Sequence, residues 1–163
     1  MKDLPQQRLN PKVKNVWRLN DGGWITIVFL AVFVSLSLIS SDPASGLNAT
    51  FPLQCSVVIY ILLMIIWVVI LPPIRFARWH YELNEDFLDI EKGIIWHERS
   101  VIPFIRVQNT DTRQGPLLRL FNLMSVTVST AAGRHEIPGL DIATAEALRD
   151  KAAELARLAR EDV

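Results

Sequence analysis

The residues best able to do chemistry in this chain are His80, His97 and His135, the lone Cys55, and the serines Ser35, Ser37 and Ser40. Their spacing argues against catalysis. A zinc centre needs three or four nitrogen or sulfur ligands, usually at short intervals. The histidines stand far apart among bulky or acidic neighbours, and His97-Glu98 and His135-Glu136 lack the second histidine of a zincin helix. They read as surface or strand-edge residues. One cysteine closes no intramolecular disulfide and builds no zinc site, so Cys55 reads as a small packing residue. The three serines fall on an apolar run, where a small-residue stripe suits helix packing better than nucleophilic attack. The chain has no phosphate loop and no G-x-S-x-G motif. We assign no catalytic residue, no metal ligand and no cofactor, and expect a protein that is not an enzyme.

Two polar sets remain. Arg106, Gln108, Arg113, Gln114 and Arg119 come from a strand, the turn after it and a short apolar plug. They could tie loop carbonyls and acidic side chains together, or form a docking or anion site near the membrane face. Lys12, Lys14 and Arg18 lie on an N-terminal arm, and read as membrane-surface cations, each contributing about 1 kcal/mol next to anionic lipid.

Two apolar runs must position all of this. Residues 22–41 and 43–74 are free of charge and separated only by Asp42. A helix crosses the hydrocarbon core with about 20 largely apolar residues, and a charge near the centre costs roughly 2.5–3.5 kcal/mol on insertion scales. Both runs qualify, with spans expected at about 24–41 and 54–72. A basic region precedes the first run, as in a signal peptide, but the run is long for a signal core, ends in no small-x-small site and is followed at once by a second span. The domain reading is a basic cytoplasmic arm at 1–23, a transmembrane hairpin at 24–74 with a short external loop, and a folded domain at 75–163.

Orientation follows from flanking cations. The arm holds Lys2, Arg8, Lys12, Lys14 and Arg18 against Asp3 and Asp21, and Arg75 and Arg78 follow the second run, whereas residues 40–54 between the runs contain no Lys or Arg. Both termini are expected in the cytoplasm. Asn48-Ala49-Thr50 matches a glycosylation sequon, but a loop so close to the bilayer is a poor acceptor. Trp17, Trp24, Phe76 and Trp79 fall where an inner aromatic belt would lie. Asn10-Pro11 is a plausible helix cap followed by proline at the first helical position.

Past Arg78 the periodicity becomes alternating. Strands are expected at 79–83, 87–92, 94–103, 105–113, 125–130 and 134–137, with LLRLF at 117–121 as a helical turn or buried plug. Half-buried strands with polar breaks indicate an antiparallel meander. The end is an amphipathic helix, with Asp141 available as a cap and Ile142, Ala145, Leu148, Ala152, Leu155 and Ala159 as its apolar stripe. The segment is slightly acidic, which gives no electrostatic case for nucleic acid.

These residues resemble a known family. Tyr81-x-Leu83, Lys92-Gly93-Ile94, Val101-Ile102-Pro103, Ile105-Arg106-Val107-Gln108, Arg113-Gln114-Gly115-Pro116-Leu117, Arg119-Leu120-Phe121, Thr130-Ala131-Ala132-Gly133 and Ile137-Pro138-Gly139-Leu140 occur in order. Over roughly residues 80–150 the chain resembles the bacterial PH domain of YdbS-like membrane proteins, in which a two-helix hairpin precedes the domain. Asn122 departs from the glycine usual after that phenylalanine, and Asn tolerates left-handed backbone better than most residues. The resemblance implies a small α+β, PH-like fold of antiparallel strands closed by a C-terminal helix, on the cytoplasmic face of a bacterial inner membrane. It also implies a partner, since such proteins are often encoded beside a larger relative with several PH-like domains.

The function expected is a membrane-anchored interaction module in contact with the lipid bilayer, a subunit alongside such a relative. The alternatives are an inner-leaflet lipid sensor or a transporter accessory protein, and a second copy of the chain, in a homo-oligomer, is a further candidate partner. Glu82, Glu85, Asp86, Asp89 and Glu91 crowd the first hairpin of the domain against Lys92, which disfavours headgroup recognition there.

Overall fold

The computed structural model describes residues 5–41 and 50–161. The chain divides into two compact units, Trp17–Pro73 and a second made of Met1–Val16 with Ile74–Val163.

Two long helices build the first unit. Helix α1 is Val13–Ser41, and α2 (Thr50–Met64) continues through a π-helix, Ile65–Ile70, into α3, Leu71–Ala77. Both helical stretches are long and apolar enough to cross a membrane, and large side chains such as Leu38 and Val69 are left exposed. The loop at 42–49, with Asp42 and the sequon asparagine Asn48, lies outside the described residues. Gly22 is buried, and a Cβ there would come within 3.3 Å of Val68 Cγ2. Small residues allow this close helix approach without a hydrophobic driving force between lipid-soluble helices. Thr26 Oγ1 and Tyr60 Oη are 3.2 Å apart across the pair, and the Tyr60 ring stacks on Phe29 with centroids 4.3 Å apart. Ser35 and Ser37 bond the carbonyls of Ala31 and Phe33 in their own helix.

Two prolines follow the π-helix one residue later. Residues 72 and 73 are both proline, so neither supplies the N–H that the Val68 carbonyl would accept at i+4 or i+5. Arg18 Nε donates to that carbonyl at 3.1 Å. Backbone groups freed by proline in a membrane helix need such a substitute. Arg18, expected at the membrane surface, therefore also serves the hairpin itself.

The second unit holds two antiparallel sheets. One has the order β1 (Gln7–Arg8), β2 (His80–Leu83), β3 (Phe87–Lys92) and β4 (Glu98–Pro103). The other has β5 (Val107–Arg113), β6 (Leu123–Thr130) and β7 (Gly133–Asp141). A 3-10 turn, Phe104–Arg106, joins the sheets, α4 (Pro116–Leu120) bridges β5 to β6, and α5 is Ile142–Glu161. Leu88, Phe104, Leu123, Val126, Ile137 and Leu140 form the fully buried centre, covered by Ala145, Leu148, Ala152 and Ala156 of α5. Ala156 joins the expected stripe, while Ile142, Leu155 and Ala159 are only half-buried. Asn122 has φ 55, the left-handed turn that its departure from glycine still permits.

Four expectations change. Residues 5–16 belong with the domain: β1 pairs with β2, Leu9 and Val13 are buried, and Asn10 N donates to the Gly139 carbonyl at 3.0 Å. Asn10 Nδ2 also donates to Asp141 Oδ1 at 2.8 Å, and Asn10 Oδ1 accepts from Lys12 N. Gly139, at φ +66, leaves no room for a Cβ because Val13 Cγ2 fills the space. The Ile-Pro-Gly-Leu motif is thus the seat of the arm. Second, Trp79 and Trp17 are buried, which leaves Trp24 as the exposed tryptophan of the expected belt. Third, residues 93–97 form a turn before β4, because Gly93 takes φ +123. Fourth, the strand expected at 134–137 runs on through Asp141, its register shifting between Met124 and Val126 of β6.

Candidate functional site

A cleft of ≈ 730 Å³ opens between the two sheets, lined by β4, the 3-10 turn, the start of β5, the β6–β7 turn and the end of α5. Among the described residues its polar side chains are Arg99, Ser100, Arg106, Gln108, Thr130, His135 and Arg160, with no carboxylate. The topology makes this cleft. β4 pairs with β3 alone and β5 with β6 alone among the described residues, so each turns an unpaired strand edge outward. Pro103 and the 3-10 turn break the strand between them and set Arg106 at the corner.

Arg106 and Gln108 are exposed, and their side chains make no hydrogen bond or ion pair among the described residues. Arg160 reaches from α5 to the Val107 carbonyl and so anchors the helix end at the mouth of the cleft. Arg99 is held by Asp89: its Nε lies 3.2 and 3.1 Å from the two carboxylate oxygens, and Nη2 is 2.6 Å from Oδ2. That bond holds the guanidinium protonated more firmly than an ordinary arginine, opposed by burial and helped by the charges of Asp89, Glu91 and Glu82.

The acidic hairpin is therefore less acidic than its residues suggest. Asp89 and Glu91 are buried on one face of β3, Asp89 against Arg99 and Glu91 against His97 at 2.8 Å. Glu91 Oε2 has no partner among the described residues. Glu85 and Asp86 remain exposed.

Of the five residues expected to cluster, only Arg106 and Gln108 line the cleft. Arg113 lies at the far end of β5, while Gln114 and Arg119 line a separate shallow recess with Pro116 and Leu120. Gln114 Nε2 donates to the Leu123 carbonyl at 3.1 Å, which is a structural role. Arg99, His135 and Arg160 were missed because three distant elements bring them to the cleft; the alternation that points Arg99 and Val101 to one face of β4 was the available signal. Lys14 Nζ stands 4.9 Å from the Phe76 ring centroid, and Lys12 is exposed at the start of α1.

The family model described as Bacterial PH domain matches residues 23–156. The chain belongs to the bacterial PH domain family. A curated relative, UPF0699 transmembrane protein YdbS of Bacillus subtilis (strain 168), is 36% identical over 166 residues, covering 100% of both chains. A second, UPF0699 transmembrane protein YdbT of the same organism, is 29% identical over 73 residues, 45% of this chain and 15% of that protein. No solved structure matches the chain. This is a membrane protein of the UPF0699 family, and its bacterial PH domain includes an N-terminal strand, β1, that lies ahead of the residues the family model matches.

Proposed function

We propose that the protein is a non-enzymatic docking subunit of the bacterial inner membrane, whose PH domain receives an extended, acidic segment of a larger membrane protein with further PH-like domains. The observation that carries this reading is the cleft: among the described residues, two unpaired strand edges bordered by Arg106, Gln108, Arg99 and Arg160 with no carboxylate. An extended peptide gains affinity by adding backbone hydrogen bonds to such an edge and specificity from side-chain pockets beside it. A cationic border favours acidic over basic segments and speeds encounter. The local match to the much longer YdbT supports a partner of that kind.

Both termini face the cytoplasm in this reading, as the cations around the spans direct. Single cysteines placed at Ala132 or Ala159 in a Cys55→Ala chain should then be labelled only after the inner face is opened. The docking test is a photo-crosslinking residue at Gln108 in the full chain, co-expressed with the larger PH-domain membrane protein of the same organism. A crosslinked product is expected from Gln108 and not from Arg119; crosslinking from Arg119 alone would overturn the reading. A lipid sensor is the second reading, supported by the basic residues around the spans, and it predicts instead a crosslink to lipid.

A further inference from the structure

We propose that the tip of the β3–β4 hairpin, Ile94-Ile95-Trp96, inserts into the headgroup–acyl boundary of the bilayer that the chain's own helices span. Ile95 is 88% exposed, Trp96 85% and Ile94 37%. Exposed apolar residues scattered singly need no explanation, but three in sequence at a hairpin tip form a contiguous apolar projection.

The tip is built to point outward. Gly93 has φ +123, and a Cβ there would collide with the Trp96 carbonyl, so the loop backbone folds tightly on itself. Its base is clamped by Lys92–Glu98 at 3.6 Å and by His97–Glu91 at 2.8 Å, with Arg99–Asp89 one pair further along. Apolar tip above charged base is the layering of the bilayer interface, and Trp is the residue most suited to that boundary.

Connectivity selects lipid as the occupant. The register pairs His80 with Glu91 and Arg8 with His80, so the tip lies at the end of the sheet where β2 begins and β1 ends. Both covalent connections to the apolar helices leave from that end. Helix α3 ends at Ala77, three residues before His80, which is at most about 11 Å of chain. Helix α1 begins at Val13, five residues after Arg8. The tip is therefore at the end of the sheet from which the chain runs to its apolar helices. This inference does not depend on the cleft.

The experiment uses the full chain with Cys55→Ala and Ile95→Cys, labelled with an environment-sensitive fluorophore and reconstituted in vesicles of phosphatidylcholine and phosphatidylglycerol. Trp96→Cys serves as a second labelling position, and Ala132→Cys as the reference. We expect blue-shifted emission at 95 and 96, strong loss of intensity with brominated phosphatidylcholine, and little quenching by aqueous iodide, with the reverse at 132. Iodide quenching at 95 and 96 without bromolipid quenching would overturn the proposal. So would protection from both quenchers, which would put a protein, a second copy or another partner, on the tip.

Discussion

The N-terminal arm and the inter-sheet cleft both gather cations, and they differ in what those cations are attached to. In the arm, Lys14 faces the Phe76 ring and Arg18 holds the carbonyl that Pro72 leaves unbonded. Around them, Val13 fills the space over Gly139 and Asn10 bonds both the Gly139 carbonyl and Asp141. In the cleft, Arg99 and Arg160 are likewise held, but Arg106 and Gln108 are exposed and unbonded among the described residues. A sequence counts cations without distinguishing those that hold a fold from those left for a partner. In the arm Lys14 and Arg18 belong to the first kind, and the cleft retains the second.

The largest effect should come from breaking the arm away. Val13 is fully buried, and Val13→Asp places an unpaired carboxylate there at several kcal/mol. Thermal unfolding of the full chain in detergent should show the domain losing its transition, and a fragment beginning at residue 79, without β1 and Val13, should melt well below the intact protein. An unchanged melting temperature in both would make the arm an independent appendage. Gly139→Ala sharpens the point, since the left-handed φ and the clash with Val13 together cost on the order of 1–3 kcal/mol. Combining it with Val13→Ala should recover part of that loss. Additive effects would separate the two residues.

Arg18→Gln should cost about 1–3 kcal/mol by orphaning the Val68 carbonyl, read as a lower unfolding temperature in detergent. The loss should shrink in a Pro72→Ala background, where residue 72 regains its N–H. Equal losses in both backgrounds would return Arg18 to the lipid surface. The smallest effect is titrational. Burial, and secondarily the charge of Asp141, raise the Tyr81 phenol above its ordinary 10.0. The folded state then keeps a proton that the unfolded chain has lost, so this contribution is full below pH 10 and falls as pH rises through the folded value. Tyr81→Phe should flatten the decline in stability above pH 10.

The apolar runs, the alternating strands and the α5 stripe were legible because each is a local pattern. Asn122 was legible as well, since one turn demands one backbone angle. The arm's docking was not, because it depends on Val13 meeting Gly139 more than a hundred residues away, which no periodicity encodes. Nor was the role of Arg18, although Pro72-Pro73 announces the orphan carbonyls that need a donor. The cleft was half legible: Arg106 and Gln108 lie close in sequence, whereas Arg99, His135 and Arg160 reach it only through the gap between two sheets.

Partner retention is the most direct test of the contrast between the cleft and the arm. The full chain, co-expressed with the larger PH-domain membrane protein of the same organism, would be purified in mild detergent as wild type, Arg106→Glu and Lys12→Gln. Charge reversal at a docking surface costs several kcal/mol, so the partner should be lost from Arg106→Glu and retained by Lys12→Gln. Retention by Arg106→Glu with loss from Lys12→Gln would contradict the account.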